Sequence, residues 1–285
     1  MTAEKLKYDV LVIGAGGAGL RAAVEAREAG LKVAIICKSL FGKAHTVMAE
    51  GGAAAAMGNV NESDNWQVHF RDTMRGGKFL NNFRMAELHA KESPDRIWEL
   101  EMWGALFDRT KAGKISQRNF GGHEYPRLAH VGDRTGLELI RTMQQRIVAL
   151  QQKDKRDHGD AESFIKVFAE LTITDILKDN GKVSGAYGYW RENGKEVLFE
   201  APAVILATGH SARNIYEILQ SKNILLEAKP FAMGVRVEHP QWLIDGIQYH
   251  CNNYTDVMNK RKFLPAASYS LVQQIDGRGV YSFCM

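Results

Sequence analysis

Cysteine is scarce in this 285-residue chain: Cys37, Cys251 and Cys284 are all it has. None stands in a CxxC or zinc-ligand spacing, which argues against a dithiol redox pair and a cysteine-built metal centre; no metal site is expected. So few cysteines fit a reducing, cytoplasmic setting. No run of about 18 apolar residues occurs, so no transmembrane helix is expected. The opening MTAEKLKYDV lacks the apolar core of a secretory leader. Internal repeats and low-complexity tracts are missing as well. Charge is nearly balanced, 37 basic against 33 acidic residues for a net +4. The basic residues are scattered, so nucleic acid is not an expected partner, although anionic ligands are. What is present is a globular composition, 45% apolar and 25% charged. The length suffices for one large or two medium domains.

The N-terminus reads as a βαβ unit. YDVLVI (8–13) is a buried strand, LRAAVEAREAG (20–30) a helix closed by glycine, and KVAIICK (32–38) a second buried strand. A parallel sheet follows from that order. Residues 39–82, rich in Gly, Ala and Asn, read as loops and short helices wrapped around a ligand. The spacing predicts helices over 84–104, broken near Pro94, and over 135–152. The charged run KDKRDHGDAE (153–162) reads as a solvated loop. Strands over 165–179 and 183–193, then KEVLFEA and AVILATG, form a meander that ends on a glycine. Beyond it, 211–222 reads as a helix with Ser211 as a possible cap, 231–239 as a strand, 241–250 as a helix, and VYSFCM as a last strand. The fold class is α/β: a doubly wound, Rossmann-like domain with a β-meander over 1–209, plus a partial α+β domain over 210–285.

Gly14, Gly16 and Gly19 make a GxGxxG between the first strand and its helix. The first glycine allows the tight turn, the second a close approach to a pyrophosphate, and the third close helix–strand packing. The helix N-terminus then offers its free N–H groups, including those of Gly17 and Ala18, to the phosphates. One expected partner is missing. A ribose-binding acid belongs about 20 residues on, at the end of the second strand, and Lys38 and Ser39 stand there instead. That argues against a plain NAD site. His45, in the small-residue stretch SLFGKAHTVMAEGG (39–52), reads from spacing alone as an exposed loop histidine.

The segments GAGGAGLRAA, KSLFGKAHTVMAEGG, NFGG and GDRTG, in this order and spacing, resemble the flavoprotein subunit of succinate dehydrogenase and fumarate reductase. The resemblance covers residues 7–209. It implies FAD as cofactor and places a covalent bond to the flavin 8-methyl carbon on His45. It also removes the puzzle of the missing acid, since Lys38 and Ser39 match that family's second-strand end. Thr46, Ala49, Gly51 and Gly52 match positions lying against flavin and substrate, although Glu50 stands where many relatives carry glutamine. Phe120 in NFGG matches an aromatic over the substrate; core packing is its plain alternative. Asp133 and Arg134 are expected to cap the next helix. Ala169 matches an adenine-side contact, and Ala207, Thr208 and Gly209 a second cofactor-facing turn. The resemblance implies a dicarboxylate substrate. The partners it implies are a membrane anchor and an iron–sulfur subunit, with a peripheral place at the cytoplasmic face of a membrane.

After Gly209 the motifs change. The histidines and arginines with which that family clamps two carboxylates and moves a proton do not follow. ATGHSARNIYEILQ, EAKPFAMGVRVEHPQWLIDGIQYH and LPAASYSLV instead resemble uncharacterised FAD-dependent dehydrogenases, over 207–285. The chain therefore reads as a hybrid, ending where the second family would continue. Three functions stay open: an oxidoreductase of the succinate dehydrogenase class with impaired turnover, a non-catalytic FAD-binding fragment, and a dehydrogenase of unknown substrate. His210, Arg213, Arg236 and His239 are a conceivable carboxylate clamp, but solvent-facing positions are the plainer reading.

Overall fold

The computed structural model describes residues 3–159, 163–221, 223, 238–267, 272–276 and 278–281. The chain divides into two compact units, Met1–Leu226 and Glu227–Met285.

The first unit runs β1 (Glu4–Lys7), β2 (Val10–Ile13), α1 (Gly17–Glu28), β3 (Val33–Ile36), β4 (Ala53–Ala54), α2 (Trp66–Gly76), α3 (Phe83–Met102), β5 (Gln117–Arg118), β6 (Leu128–Ala129), α4 (Thr135–His158), β7 (Ile165–Phe168), β8 (Leu171–Asp179), β9 (Lys182–Trp190), β10 (Glu196–Glu200), β11 (Ala203–Leu206) and α5 (Arg213–Ser221). Its centre is a parallel sheet in the order β11-β2-β3-β7.

Strand alternation explains the layers. Val10, Val12, Val33, Ile35 and Cys37 face one side and pack with Leu20, Ala23 and Val24 of α1 and Ile140, Met143 and Ile147 of α4. Leu11, Ala34 and Ile36 face the other side and meet Ala186, Val197 and Phe199 of a second sheet, ordered β1-β10-β9-β8. Both faces of β2 and β3 are covered, so their sequences are continuous apolar runs. The expected parallel α/β sheet is present, with the meander where a doubly wound sheet would carry its second helical layer. Asn180 and Gly181, both at positive φ (48° and 78°), make the tight turn between β8 and β9. A small antiparallel sheet, β4-β6-β5, packs Ala55, Phe107, Ile115 and Ala129 against Ile97 of α3.

Two expectations are corrected. The helix over 83–102 is not broken at Pro94. Proline removes the N–H that would bond the Ala90 carbonyl; the Ser93 hydroxyl points to that carbonyl at 3.5 Å. Beyond the proline, Arg21 of α1 holds Glu99 through two hydrogen bonds of 2.8 and 3.0 Å. Nor is 153–158 a loop: α4 continues to His158. Asp154 is the reason. It is 2% exposed, pairs with Arg27 of α1 through Nε at 3.1 Å, and accepts the Phe164 N–H at 2.9 Å. The charged run thus contains a buried anchor between two helices and the start of β7.

In the second unit, α6 (Gln241–Gln248) and α7 (Tyr254–Lys260) accompany a hairpin of β12 (Val272–Ile275) and β13 (Arg278–Tyr281). The helix expected over 241–250 corresponds to α6. Asp245, fully buried, accepts from the Ala267 N–H and the Gln241 amide, both at 2.8 Å, and pairs with Arg261 at 3.2 Å. The strand expected over 231–239 lies for the most part outside the described residues, as do the last four residues of VYSFCM. Among the described residues no helix is long and apolar enough to cross a membrane.

Burial raises the Asp154 carboxyl, but Arg27, the Phe164 N–H and the Ser163 hydroxyl outweigh it and hold the group below the usual carboxylate range. Asp154→Ala leaves Arg27 unpaired and is expected to lose about 3 kcal/mol at pH 7, measured by urea unfolding. A depressed folded-state pKa stabilises above the unfolded value and is lost as pH falls through the folded one. The deficit of the variant should therefore shrink below about pH 4.

Candidate functional site

The site begins where β2 turns into α1. Gly14 has φ +116°, and a Cβ there would overlap the Ala207 carbonyl. A Cβ at Gly19 would overlap the Gly14 carbonyl and come within 3.2 Å of Ala207 Cβ. The Ala207 N–H donates to the Ile13 carbonyl at 2.8 Å. The two glycine turns, Gly14–Gly19 and Ala207–Gly209, are thus packed on each other with no space for a side chain between them. Thr208 and Gly209 extend from this contact into exposed positions, Gly209 at φ +77°.

Gly16 differs. A Cβ there would meet only Ala44 Cβ at 3.4 Å and Thr46 Oγ1 at 3.5 Å, and its φ of −82° suits any residue. Packing of the chain does not demand glycine at this position. A phosphate approaching the backbone does, so the cradle fits a dinucleotide. Among the described residues the N–H groups of Ala18 and Gly19 carry no hydrogen bond, as expected for a helix start that awaits an anion. The Gly17 N–H donates to Thr46 Oγ1 at 3.0 Å.

That bond ties the segment bearing His45 to the cradle. His45–Met48 is a single 3₁₀ turn, and Gly136 at the start of α4 lies against it: a Cβ there would strike the Thr46 and Ala49 carbonyls. The Gly136 N–H donates to the Ala49 carbonyl at 2.6 Å. The glycine of GDRTG is therefore a packing requirement. Asp133 and Arg134 do not cap α4 as expected. Arg134, the capping residue, makes no side-chain bond there, and Asp133 pairs with Arg118 at 3.1 Å. Ser211 does not turn to its own helix either: its hydroxyl lies 3.1 Å from His45 Nε2, and the His210 ring centroid is 5.1 Å from that of His45. His45 is exposed, at the junction of both turns.

Lys38, Ser39 and Ala169 gather at the ends of β3 and β7. The Lys38 carbonyl accepts from Arg191 at 2.8 Å, and the Ser39 carbonyl accepts the Glu170 N–H at 3.2 Å. Ala169 is partly buried against the helical core. Gly51 and Phe120 also come together: a Cβ at Gly51 would lie 3.7 Å from Phe120 Cε2. Phe120 is 37% exposed, so it is not core packing. Gly52, at φ +120°, fits tightly against Leu128 and Ala129.

Sequence reasoning missed three groups. Arg118 of β5 donates to the carbonyls of Gly51 (2.8 Å), Glu50 (2.6 Å) and Gly132 (3.0 Å); its place beside NFGG was the available signal. His130, next to Gly52, has Nδ1 2.9 Å from Asp108. Burial and the Arg118 charge lower its pKa against the pull of Asp108. Arg127, fully buried, lies between Asp64 at 2.8 Å and Asp72 at 3.0 Å. Beside it the His69 imidazole is pushed down to about 3 by burial and by the Arg127 charge. These contacts join α2 to the loop that carries Phe120, since Asp72 also accepts the Glu124 N–H at 2.9 Å. Of the conceivable clamp, Arg236 lies outside the described residues. The concavity lined by Lys7, Tyr8, Asp179 and Ser184 belongs to the meander and includes none of the site residues.

Residues 9–233 match the FAD binding domain family, and residues 230–285 match a family described as FAD-dependent protein, C-terminal domain-like. The chain is 42% identical over 219 residues to a fumarate reductase (CoM/CoB) subunit of Methanothermobacter marburgensis, covering 76% of this chain and 38% of that protein. It is 36% identical over 252 residues to the succinate dehydrogenase flavoprotein subunit of Rickettsia bellii, covering 86% and 40%. That similarity runs past Gly209, where the motifs change. Among solved structures, Mycobacterium smegmatis Sdh1 in complex with UQ1 superposes with a TM-score of 0.71 at 75% identity, covering 72% of this chain and 34% of that one. The chain thus spans well under half the length of these relatives.

The cradle makes a distinguishable pair of expectations. Gly16→Ala should leave the melting temperature of FAD-free protein almost unchanged and lower FAD affinity about tenfold, the loss of roughly one phosphate hydrogen bond. Gly19→Ala should lower the melting temperature itself. Unchanged FAD affinity in Gly16→Ala, read by fluorescence titration, would show the cradle to be misassigned.

Proposed function

Because the chain belongs to the FAD binding domain family, we propose that it is the FAD-holding part of an oxidoreductase of the succinate dehydrogenase and fumarate reductase flavoprotein class, moving hydride between a dicarboxylate and flavin N5. The observation that carries this reading is the contact of the two glycine turns, which leaves Gly16 and the N–H groups of Ala18 and Gly19 open for a pyrophosphate. FAD supplies the hydride chemistry; the residues of this chain bind, orient and tune it.

Gly14, Gly16, Gly17, Ala18 and Gly19 would hold the pyrophosphate, with Ala207, Thr208 and Gly209 on its other side. Lys38, Ser39 and Ala169 would meet the adenosine end. Thr46, Ala49, Gly51 and Gly52 would line the flavin, and Gly51 with Phe120 the substrate. His45 would bond the flavin 8-methyl carbon. Such a bond withdraws electron density from the ring and raises its potential, where about 30 mV of a two-electron couple corresponds to about 1.4 kcal/mol. Oxidation of a saturated carbon–carbon bond needs that increase. The proposed partners are a membrane anchor and an iron–sulfur subunit, with a peripheral place at the cytoplasmic face of the membrane. The match of residues 230–285 to another group of FAD-dependent proteins favours a second reading, a dehydrogenase with a different substrate.

Purified protein should be yellow, and acid precipitation should leave the colour in the pellet. In His45→Ser the FAD should stay bound but become extractable, with a lower midpoint potential. An unmodified tryptic peptide carrying His45 from a flavinylated preparation would rule this attachment out.

Turnover is a separate matter. Residues 210–285 do not carry the carboxylate-clamp and proton-donor motifs of the class, and general acid–base help alone is worth about 10²–10⁴-fold. Anaerobic succinate at saturation should bleach the flavin of this chain slowly, while dithionite bleaches it at once. Prompt bleaching by succinate would overturn the expectation of impaired turnover.

A further inference from the structure

The Arg118 side chain reaches four groups on two separate segments. Its Nε donates to the Gly51 carbonyl at 2.8 Å, Nη2 to the carbonyls of Glu50 at 2.6 Å and Gly132 at 3.0 Å, and Nη1 to the Asp133 carboxylate at 3.1 Å. Lysine has no such planar fork. The strand that carries Arg118, β5, is itself fixed by pairing with β6. The turn it grips has little freedom left. The Thr135 hydroxyl donates to the Glu50 carbonyl at 3.3 Å, and Gly52 is wedged at positive φ against Leu128 and Ala129.

The carbonyls of Glu50 and Gly51 belong to the same peptide units as the N–H groups of Gly51 and Gly52. A guanidinium bonded to those oxygens draws electron density from the amides and makes their N–H groups stronger donors. Among the described residues these two N–H groups have no hydrogen-bond partner. Two residues beyond Arg118, the Phe120 ring lies beside Gly51. The arrangement thus joins one fixed cation, two polarised peptide units and an aromatic wall.

We propose that Arg118 is a positioning residue: it locks the Glu50–Gly52 turn and strengthens its two free N–H groups as donors to a carboxylate bound beside Phe120. The inference rests on the reading above, that this turn lies at the dicarboxylate end of an FAD site. It adds a residue which touches neither cofactor nor substrate and works through the peptide groups between.

The test uses the whole FAD-loaded chain and malonate, a dicarboxylate that lacks the carbon–carbon bond to be oxidised. Malonate binding is followed through the flavin absorption spectrum in wild type, Arg118→Gln and Arg118→Lys. The dissociation constant should rise about ten- to hundredfold in Arg118→Gln, the loss of one charge-assisted interaction. In Arg118→Lys, which keeps charge but not the fork, it should rise less. FAD content should stay the same in all three. A second measurement needs no variant: amide exchange at Gly51 and Gly52 in wild type should slow when malonate is added. The proposal is overturned by equal malonate constants in wild type and Arg118→Gln at equal FAD content. It is overturned equally by unchanged exchange of those amides under saturating malonate. Failure of the wild type to hold FAD would contradict the parent reading instead; the exchange measurement, repeated on FAD-free protein, still decides the role of the turn.

Discussion

Everything at the candidate site depends on one backbone contact, the Ala207 carbonyl lying where a Cβ of Gly14 would be. It brings the ends of β2 and β11 together as neighbours in the parallel sheet, Leu206 opposite Ile13. Because Gly19 closes on Gly14 from the helix side, α1 starts directly above the strand ends. Its unpaired N–H groups then face the crevice outside the carboxyl ends of the strands, where open α/β sheets bind their ligands. Side chains at either glycine would separate helix from sheet and turn from turn.

Around that contact the chain adds ties between distant segments. Thr46 caps α1 from the His45 turn, and Gly136 seats that turn on α4. Arg27 and Asp154 then hold α1 to α4 at the other end of the layer. Around Phe120, Arg127 with Asp64 and Asp72 joins α2 to the Phe120 loop, and Arg118 joins the Glu50–Gly52 turn to the start of α4. Buried pairs of this kind contribute little net stability compared with apolar replacements, but losing one partner is costly. Their effect here is to fix loop positions, since the residues they connect are remote in sequence.

Legibility in the sequence followed the range of the interactions. The βαβ unit rests on short continuous apolar runs with a helix between them, and the meander on turn residues such as Asn180 and Gly181, all of which are local and readable. The glycine cradle was readable because its three positions have fixed offsets. Pro94 misled because a local rule, loss of one helical hydrogen bond, was outweighed by burial of Ala86, Ala90 and Ile97 along the helix. The charged run at 153–158 misled because composition cannot reveal that Asp154 faces Arg27, 127 residues away. Ser211 was assigned to its nearest helix, whereas its hydroxyl meets His45 across 166 residues. Arg118 passed unnoticed because its partners are backbone carbonyls, which leave no trace in residue type. Phe120, open between core packing and an aromatic over the substrate, is not core, since it is 37% exposed and lies beside Gly51.

The central claim is that the two packed glycine turns form a cradle for the pyrophosphate of FAD. Calorimetric titration of FAD-free protein with FAD and, separately, with riboflavin tests it most directly, because riboflavin carries the same ring without phosphates or adenosine. If the cradle supplies the affinity, FAD should bind at least about a hundredfold more tightly than riboflavin, the worth of one or two charge-assisted hydrogen bonds. Equal affinities would contradict the account.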